Sequence, residues 1–171
     1  MVNVTIRPAS LNDLASMTEI YNHYVVNTHF NLDLQPFIPE QRISWFRDHS
    51  DNQRYRLLLA EDADGNIAGY VGTGKFLRAK DAYDSTVEIT AACRPDTAGK
   101  GIGTKLYAAL FAAIAQEDIN RVVAVIAQPN LASNALHKRF GFQEVGCLTE
   151  VGQKFGKYWD VMFMERPLIL P

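Results

Sequence analysis

Between positions 94 and 103 the chain reads Arg94-Pro95-Asp96-Thr97-Ala98-Gly99-Lys100-Gly101-Ile102-Gly103, with glycine at 99, 101 and 103 just ahead of an apolar helical pattern. Glycine lets the backbone approach a ligand closely, and the first turn of a helix offers N–H groups carrying partial positive charge, so a phosphate is the natural guest. A tight turn would use the same residues. A Walker loop places four residues between its first glycine and the Gly-Lys pair, then Ser or Thr; Arg94 and Gly101 stand at those positions around Gly99-Lys100. A dinucleotide fingerprint wants a third glycine where Thr104 stands and an acid after the next strand, where Gln128-Pro129-Asn130 lie. Nucleoside triphosphatase and NAD chemistry are both disfavoured. Glu88, inside the β-branched run Thr86-Val87-Glu88-Ile89-Thr90 that leads to this loop, is a base if burial lifts its pKa above about 4.3, and a solvated strand residue otherwise.

The surrounding pattern supplies elements to hold these groups. Val2 to Ile6 alternates as a short strand, and Ser10 with Asp13 reads as a capping box opening a helix that buries Leu14, Met17, Tyr21, Tyr24 and Val25. A polar loop from Asn27 to Pro36 precedes a short helix from Pro39 through Ile43, Trp45 and Phe46 toward His49. Tyr55 to Glu61 and Ile67 to Phe76 flank Ala63-Asp64-Gly65-Asn66 as a hairpin. Leu77 to Asp84 is irregular, and Ser85 to Cys93 is the next strand. After the glycine loop comes a helix with Ile102, Leu106, Leu110 and Ala113 on its apolar side. Arg121 to Ala127 then fits a central parallel strand covered on both faces, closing a βαβ crossover. A short helix from Ser133 to Arg139 ends at Gly141, and Phe142 to Val145, Glu150 to Phe155 and Tyr158 to Met164 read as closing strands.

At 171 residues the chain suits a single domain spanning 1–171, without repeats or linkers. Its 17 Lys and Arg against 19 Asp and Glu give a net charge of −2, which disfavours nucleic acid or an anionic membrane as partner. No secretory signal or bilayer-spanning run is read, so a cytoplasmic location is expected. Cys93 and Cys147 form no C-x-x-C, and His23, His29, His49 and His137 are scattered, so no metal site or disulfide framework is expected.

The stretch from Ala98 to Gly103, preceded by an antiparallel meander and followed by a buried strand and Asn130-x-x-Ser133-x-x-x-His137-x-x-x-Gly141-Phe142, resembles the GNAT acyltransferase superfamily. Gly101 and Gly103 match that family's loop, while Ala98 stands where a basic or amide residue is usual. The resemblance narrows to the phosphinothricin N-acetyltransferase branch. It rests on Ile20-Tyr21-Asn22-His23-Tyr24-Val25, Arg42-x-x-Trp45-Phe46, Arg78 through Tyr83 to Thr86-Val87-Glu88, Leu136-His137, and Val151 through Asp160. Ala91-Ala92-Cys93 is smaller-sided than the family's usual strand. The implied fold is a GNAT α/β fold of the mixed-sheet, α+β kind, with a mostly antiparallel sheet of six to seven strands flanked by about four helices.

The resemblance implies acetyl-CoA as co-substrate and the α-amine of a small amino-acid analogue as acceptor, of the phosphinothricin, methionine sulfone or methionine sulfoximine type. Glu88 is then the expected base and His137 the expected acid for the leaving thiolate; a polar helix-face histidine is the alternative for the latter. Main-chain groups at Ala91 and Cys93, the loop Ala98, Gly99, Lys100, Gly101, Ile102, Gly103 and Thr104, and Asn130 with Ser133 are the expected coenzyme A contacts. Asn130 equally suits a helix cap. Arg78 and Tyr83 would orient the acceptor, with Thr28 and Phe30 lining the same pocket. Trp45, Phe46 and Trp159 read as core, and Cys93 as a small buried side chain. A homodimer is implied by family analogy. A protein N-terminus, polyamine or aminoglycoside as acceptor, and a non-catalytic acyl-CoA-binding module, are the alternatives.

Overall fold

The computed structural model describes residues 3–50, 54–77 and 80–169. Val2, the expected start of the first strand, lies outside them. Strand β1 (Val4–Pro8) runs into the expected capping box, in which the Ser10 amide and hydroxyl both donate to the Asp13 carboxylate at 2.7 and 2.8 Å. Arg7 grips the same carboxylate through both terminal nitrogens, and this pairing holds the Asp13 pKa down at about 2. Helix α1 (Leu14–Asn27) follows, then α2 (Ile43–Ser50), β2 (Leu57–Asp62), β3 (Ile67–Lys75), β4 (Thr86–Cys93), α3 (Ile102–Ile114), β5 (Arg121–Ala127), α4 (Leu131–Arg139), β6 (Gln143–Lys154) and β7 (Lys157–Pro167). Gly65, at φ 82°, makes the β2–β3 turn, and Phe155 and Gly156, at φ 54° and 70°, make the two-residue β6–β7 turn that matches strand twist.

The strands form one seven-stranded sheet in the order β1-β2-β3-β4-β5-β7-β6. Every neighbouring pair is antiparallel except β4 and β5, which the α3 crossover makes parallel. Leu106, Tyr107 and Leu110 of α3 pack with Val87, Ile89, Val122, Ala124 and Ile126 on one face. Leu14, Met17 and Ile20 of α1 and Phe46 of α2 cover Leu57, Leu59 and Tyr70 on the other. The mixed GNAT-type sheet expected from the sequence is the one observed.

Three local expectations change. The closing region is two long strands rather than three short ones. On α3 the buried position of the last turn is Ile114, while Ala113 is exposed. Helix α4 begins at Leu131, two residues before Ser133, because Asn130 caps it by accepting from the Ser133 amide at 3.1 Å. Among the described residues no helix is long and apolar enough to cross a membrane.

Candidate active site

Strands β4 and β5 diverge beyond their first residues. Their register consists of Thr86 with Arg121, Val87 with Val122 and Glu88 with Val123, although β4 continues to Cys93 and β5 to Ala127. The Arg94 amide bonds to the Ala68 carbonyl, so antiparallel alternation along the β3–β4 register turns the peptide groups of residues 92, 90 and 88 toward β3. Those of Ala91 and Cys93 therefore turn toward the gap. On β5, the Gln128 amide bonds to Asp160 of β7, and the same alternation turns Val125 and Ala127 toward the gap from the other side. The result is a slot edged by main-chain donors and acceptors that the β4–β5 ladder does not pair with each other, suited to an extended, amide-bearing chain.

The glycine loop closes one end of this slot. Gly99 and Gly101 sit at φ 72° and 81°, and a Cβ added at either would meet nothing, so it is the left-handed backbone that calls for glycine there. Gly101 is the N-cap of α3, whose first-turn amides lack intrahelical carbonyl partners. Gly103 serves packing instead. A Cβ there would stand 3.1 Å from Leu136 Cδ2, so its absence lets α4 pack close to α3. Arg94 is paired with Asp96 at 2.8 Å, which leaves the exposed Lys100 as the cation beside the loop. Ala98 contributes its backbone only.

Glu88 alternates with the buried Val87 and Ile89, and so faces the α1/α2 side, half-buried. In register it stands beside Gly74 on β3 and Val123 on β5. A Cβ at Gly74 would fall 2.7 Å from His49 Nε2, so the glycine makes room for a buried imidazole one strand away from the carboxylate. The His49 Nδ1–H donates to Trp45 O at 2.6 Å. Val125, two residues beyond Val123, is 40% exposed on this same face. A central strand residue is normally covered, so its exposure marks an open cleft beside Glu88. The apolar run at 121–127 gives no signal of it.

Two buried donors on this face have no hydrogen-bond partner among the described residues: Arg42 Nη1 and the Tyr70 hydroxyl. Arg42 lies between the rings of Tyr21 and Trp45, 4.0 and 4.2 Å from their centroids. Burial pushes the Tyr70 phenol up, and the neighbouring Arg42 charge offsets part of the shift.

His137 is 5% exposed on α4. One ring nitrogen, Nδ1, meets the Ser133 carbonyl at 2.8 Å, and the other, Nε2, meets the buried Tyr107 hydroxyl at 2.8 Å. A carbonyl only accepts, so Nδ1 carries the proton and Nε2 accepts from the phenol. Burial also lowers the histidine pKa. The ring is thus a neutral, satisfied core group, and the expectation that it donates a proton to a thiolate finds no supporting geometry. Ser133, expected at coenzyme A, is engaged in the α4 cap and the His137 contact. Tyr107 gives no signal in the sequence, where it reads as one more helix residue. Cys93, pushed to about 11 by burial, stays a thiol.

Of the acceptor residues, Thr28 caps α1, its hydroxyl donating to Tyr24 O at 2.9 Å, and Phe30 is 43% exposed in the loop that follows. Tyr83 lies edge-on to Phe76 beside Lys75 and Tyr55, in a shallow pocket at the β3–β4 connection. Arg78 lies outside the described residues. Trp45 joins the α1/α2 core as expected, whereas Trp159 stacks flat on His29, 3.9 Å between centroids.

A family model described as an acetyltransferase (GNAT) domain matches residues 6–163. The chain is 49% identical over 166 residues to a phosphinothricin N-acetyltransferase of Streptomyces coelicolor, covering 96% of each. It is 37% identical over 164 residues to an L-methionine sulfoximine/L-methionine sulfone acetyltransferase of Pseudomonas paraeruginosa, covering 96% of this chain and 94% of that one. Among solved structures, a GNAT superfamily phosphinothricin acetyltransferase from Sinorhizobium meliloti in complex with AcCoA superposes with a TM-score of 0.89 at 32% identity, covering 96% of this chain and 88% of that one. The divergent β4–β5 pair, the glycine loop at its end and this likeness along nearly the whole chain place the protein in the GNAT acetyltransferase family, in the branch of the phosphinothricin N-acetyltransferases.

Proposed function

We propose that the chain, acting as one domain, moves the acetyl group of acetyl-CoA directly to the α-amine of a small amino-acid analogue of the phosphinothricin, methionine sulfone or methionine sulfoximine type, with Glu88 as base. One observation carries this: the slot between β4 and β5 ends at the glycine loop on one side and opens beside Glu88 on the other. The relatives named for phosphinothricin and methionine sulfoximine support the substrate class.

Acetyl-CoA supplies the activated thioester. The backbone amides of Gly99 and of Gly101 to Thr104, with the Lys100 side chain, hold its diphosphate, and the Ala91 and Cys93 peptide groups receive its amide-bearing arm. A main-chain N–H at the slot polarises the acetyl carbonyl. Asn130, its side-chain oxygen committed to the α4 cap, has an amide nitrogen for the same arm. The acceptor ammonium loses one proton to Glu88 directly or through water, and the neutral amine forms the N–C bond as the C–S bond breaks. The nitrogen's second proton passes through water to the departing thiolate, leaving the amide and free coenzyme A. Thr28, Phe30 and Val125 wall the acceptor cleft, and Arg78 and Tyr83 orient its charged end. His137 acts as an anchor of α4 and takes no proton step. Arg42 and Tyr70, buried on the acceptor side, support the helices that bound it.

The reading of a homodimer is supported by β6, whose residues 143–151 are exposed on both faces, with Val145, Leu148 and Val151 among them. A strand with neither face covered is stabilised by a second copy, so the working unit is a homodimer.

A thiol-release assay with acetyl-CoA across these amines, run beside a polyamine and an N-terminal peptide, tests the function. Turnover confined to the amino-acid analogues is expected. Preferential turnover of the peptide or polyamine would overturn the substrate class, and acetyl-CoA binding without transfer to any amine would overturn catalysis.

A further inference from the structure

Two hydrogen bonds tie the end of α1 and the loop after it to opposite edges of the slot. On the β4 edge the Tyr24 hydroxyl donates to the Cys93 carbonyl at 2.6 Å. On the β5 edge His29 Nε2 meets the carbonyl of Pro129, just past the strand, at 2.9 Å; the carbonyl only accepts, so His29 is the donor. Residues 24–30 therefore straddle the open end of the divergent pair, bonded to one strand at each side.

The segment between the anchors is stiff. Thr28 returns both its amide, at 3.2 Å, and its hydroxyl, at 2.9 Å, to Tyr24 O, and its hydroxyl also accepts from the Phe30 amide at 3.2 Å. The His29 end is held a second time. Its ring stacks on Trp159 with 5° between planes, the Trp159 Nε1–H donates to Lys154 O at 3.0 Å, and Lys154 Nζ returns to Asn31 O at 2.6 Å. Lys154 is 4% exposed and Leu32 fills the space a Cβ on Gly152 would need, so the β6–β7 hairpin grips the loop along successive residues.

An amide-bearing chain lying between two strands sits about 4.8 Å from each, so the edges must stand close to twice that apart for hydrogen bonds to form on both sides. We propose that Tyr24 and His29 are paired positioning residues, a brace that sets the width of the slot where β4 and β5 stand furthest apart. This rests on the slot receiving the thioester arm. Tyr24 leaves Cys93 O able to accept a further bond, since a carbonyl has two lone pairs. The phenol keeps its proton at neutral pH, because burial pushes it to about 12.

The test compares Tyr24→Phe, His29→Ala, the double variant and His29→Gln for kcat, both KM values, acetyl-CoA affinity by calorimetry and melting temperature. Each single change is expected to lower kcat about tenfold, as a small misplacement of reacting groups does. Acetyl-CoA affinity, dominated by the glycine loop, is expected to hold within about twofold. The double variant is expected to fall no further than the worse single, because releasing either anchor frees the same segment. Glutamine at 29, which can still donate to Pro129 O, is expected to recover most of kcat. Lowered melting temperatures with unchanged kcat, or losses that multiply in the double variant, would overturn the brace. An unaltered chain that fails to bind acetyl-CoA would overturn the acetyltransferase reading and the brace with it, whereas an active enzyme indifferent to both changes overturns the brace alone.

Discussion

On the α3 side of the sheet, Leu106, Leu110 and Ile114 lie fully buried against Val87, Val122 and Met164, and the polar pair within that layer, Tyr107 and His137, satisfies itself. On the α1/α2 side the cover is thinner and rougher. Gly74 makes room for His49, while Arg42 and Tyr70 keep unpartnered donors among the described residues and Val125 is open to solvent. Parallel strands are normally buried on both faces, so the uncovered stretch of β5 is where stability has been given up for access. One face holds the molecule together, and the other carries the proposed acceptor cleft.

Substitutions on the two faces should therefore separate activity from stability. The largest effect belongs to Glu88→Gln: an expected loss of about a hundredfold or more in kcat with the melting temperature essentially unmoved, measured by thiol release and calorimetry. Unchanged turnover would remove Glu88 from its role. Leu110→Ala on the opposite face is expected to cost about 3 kcal/mol in denaturant titrations while the remaining folded enzyme keeps its KM values.

Smaller effects sharpen the contrast. His137 is buried neutral, with a pKa below its unfolded value of 6.5, so the unfolded chain binds the extra proton. Its contribution to stability is complete above pH 6.5 and is lost as pH falls below that, by at most about 1.4 kcal/mol per pH unit. His137→Gln should flatten that part of the pH–stability profile relative to the unaltered chain; parallel profiles would show that the imidazole titrates freely. The smallest change is expected for Tyr70→Phe, which removes a hydroxyl with no partner among the described residues and should leave stability unchanged or raise it by up to about 1 kcal/mol. A clear loss would mean that the hydroxyl is engaged.

How much of this is legible in the sequence depends on whether a feature is local. Ser10 with Asp13, Gly65 in its turn, the glycine loop and the β4–α3–β5 crossover are set by neighbours a few residues apart, and all can be read from the chain. The slot cannot, because divergence of two strands leaves their hydrophobic patterns intact; Val125 reads like Val123 although one is open and the other closed. His137 shows the reverse. Its spacing suggests chemistry, but Tyr107, a whole helix earlier in the chain, meets it in the core and occupies the nitrogen that would act. The closing strands read as three because the chain looks broken from Gly146 to Thr149, where the structure carries one strand through with register shifts in its ladder.

Those register shifts also bear on how copies would meet in the proposed homodimer. The sheet ends in β6, and its pairing with β7 slips between Glu144 and Gly146 and again between Leu148 and Gly152, with Glu150 at φ 55°. Bulges bend a strand and sharpen its twist, so its outer rim is a poor template for straight, unlimited stacking of chains. In the proposed homodimer, association through this rim would be steered toward a closed pair and away from fibrils, even though its apolar side chains would otherwise invite them.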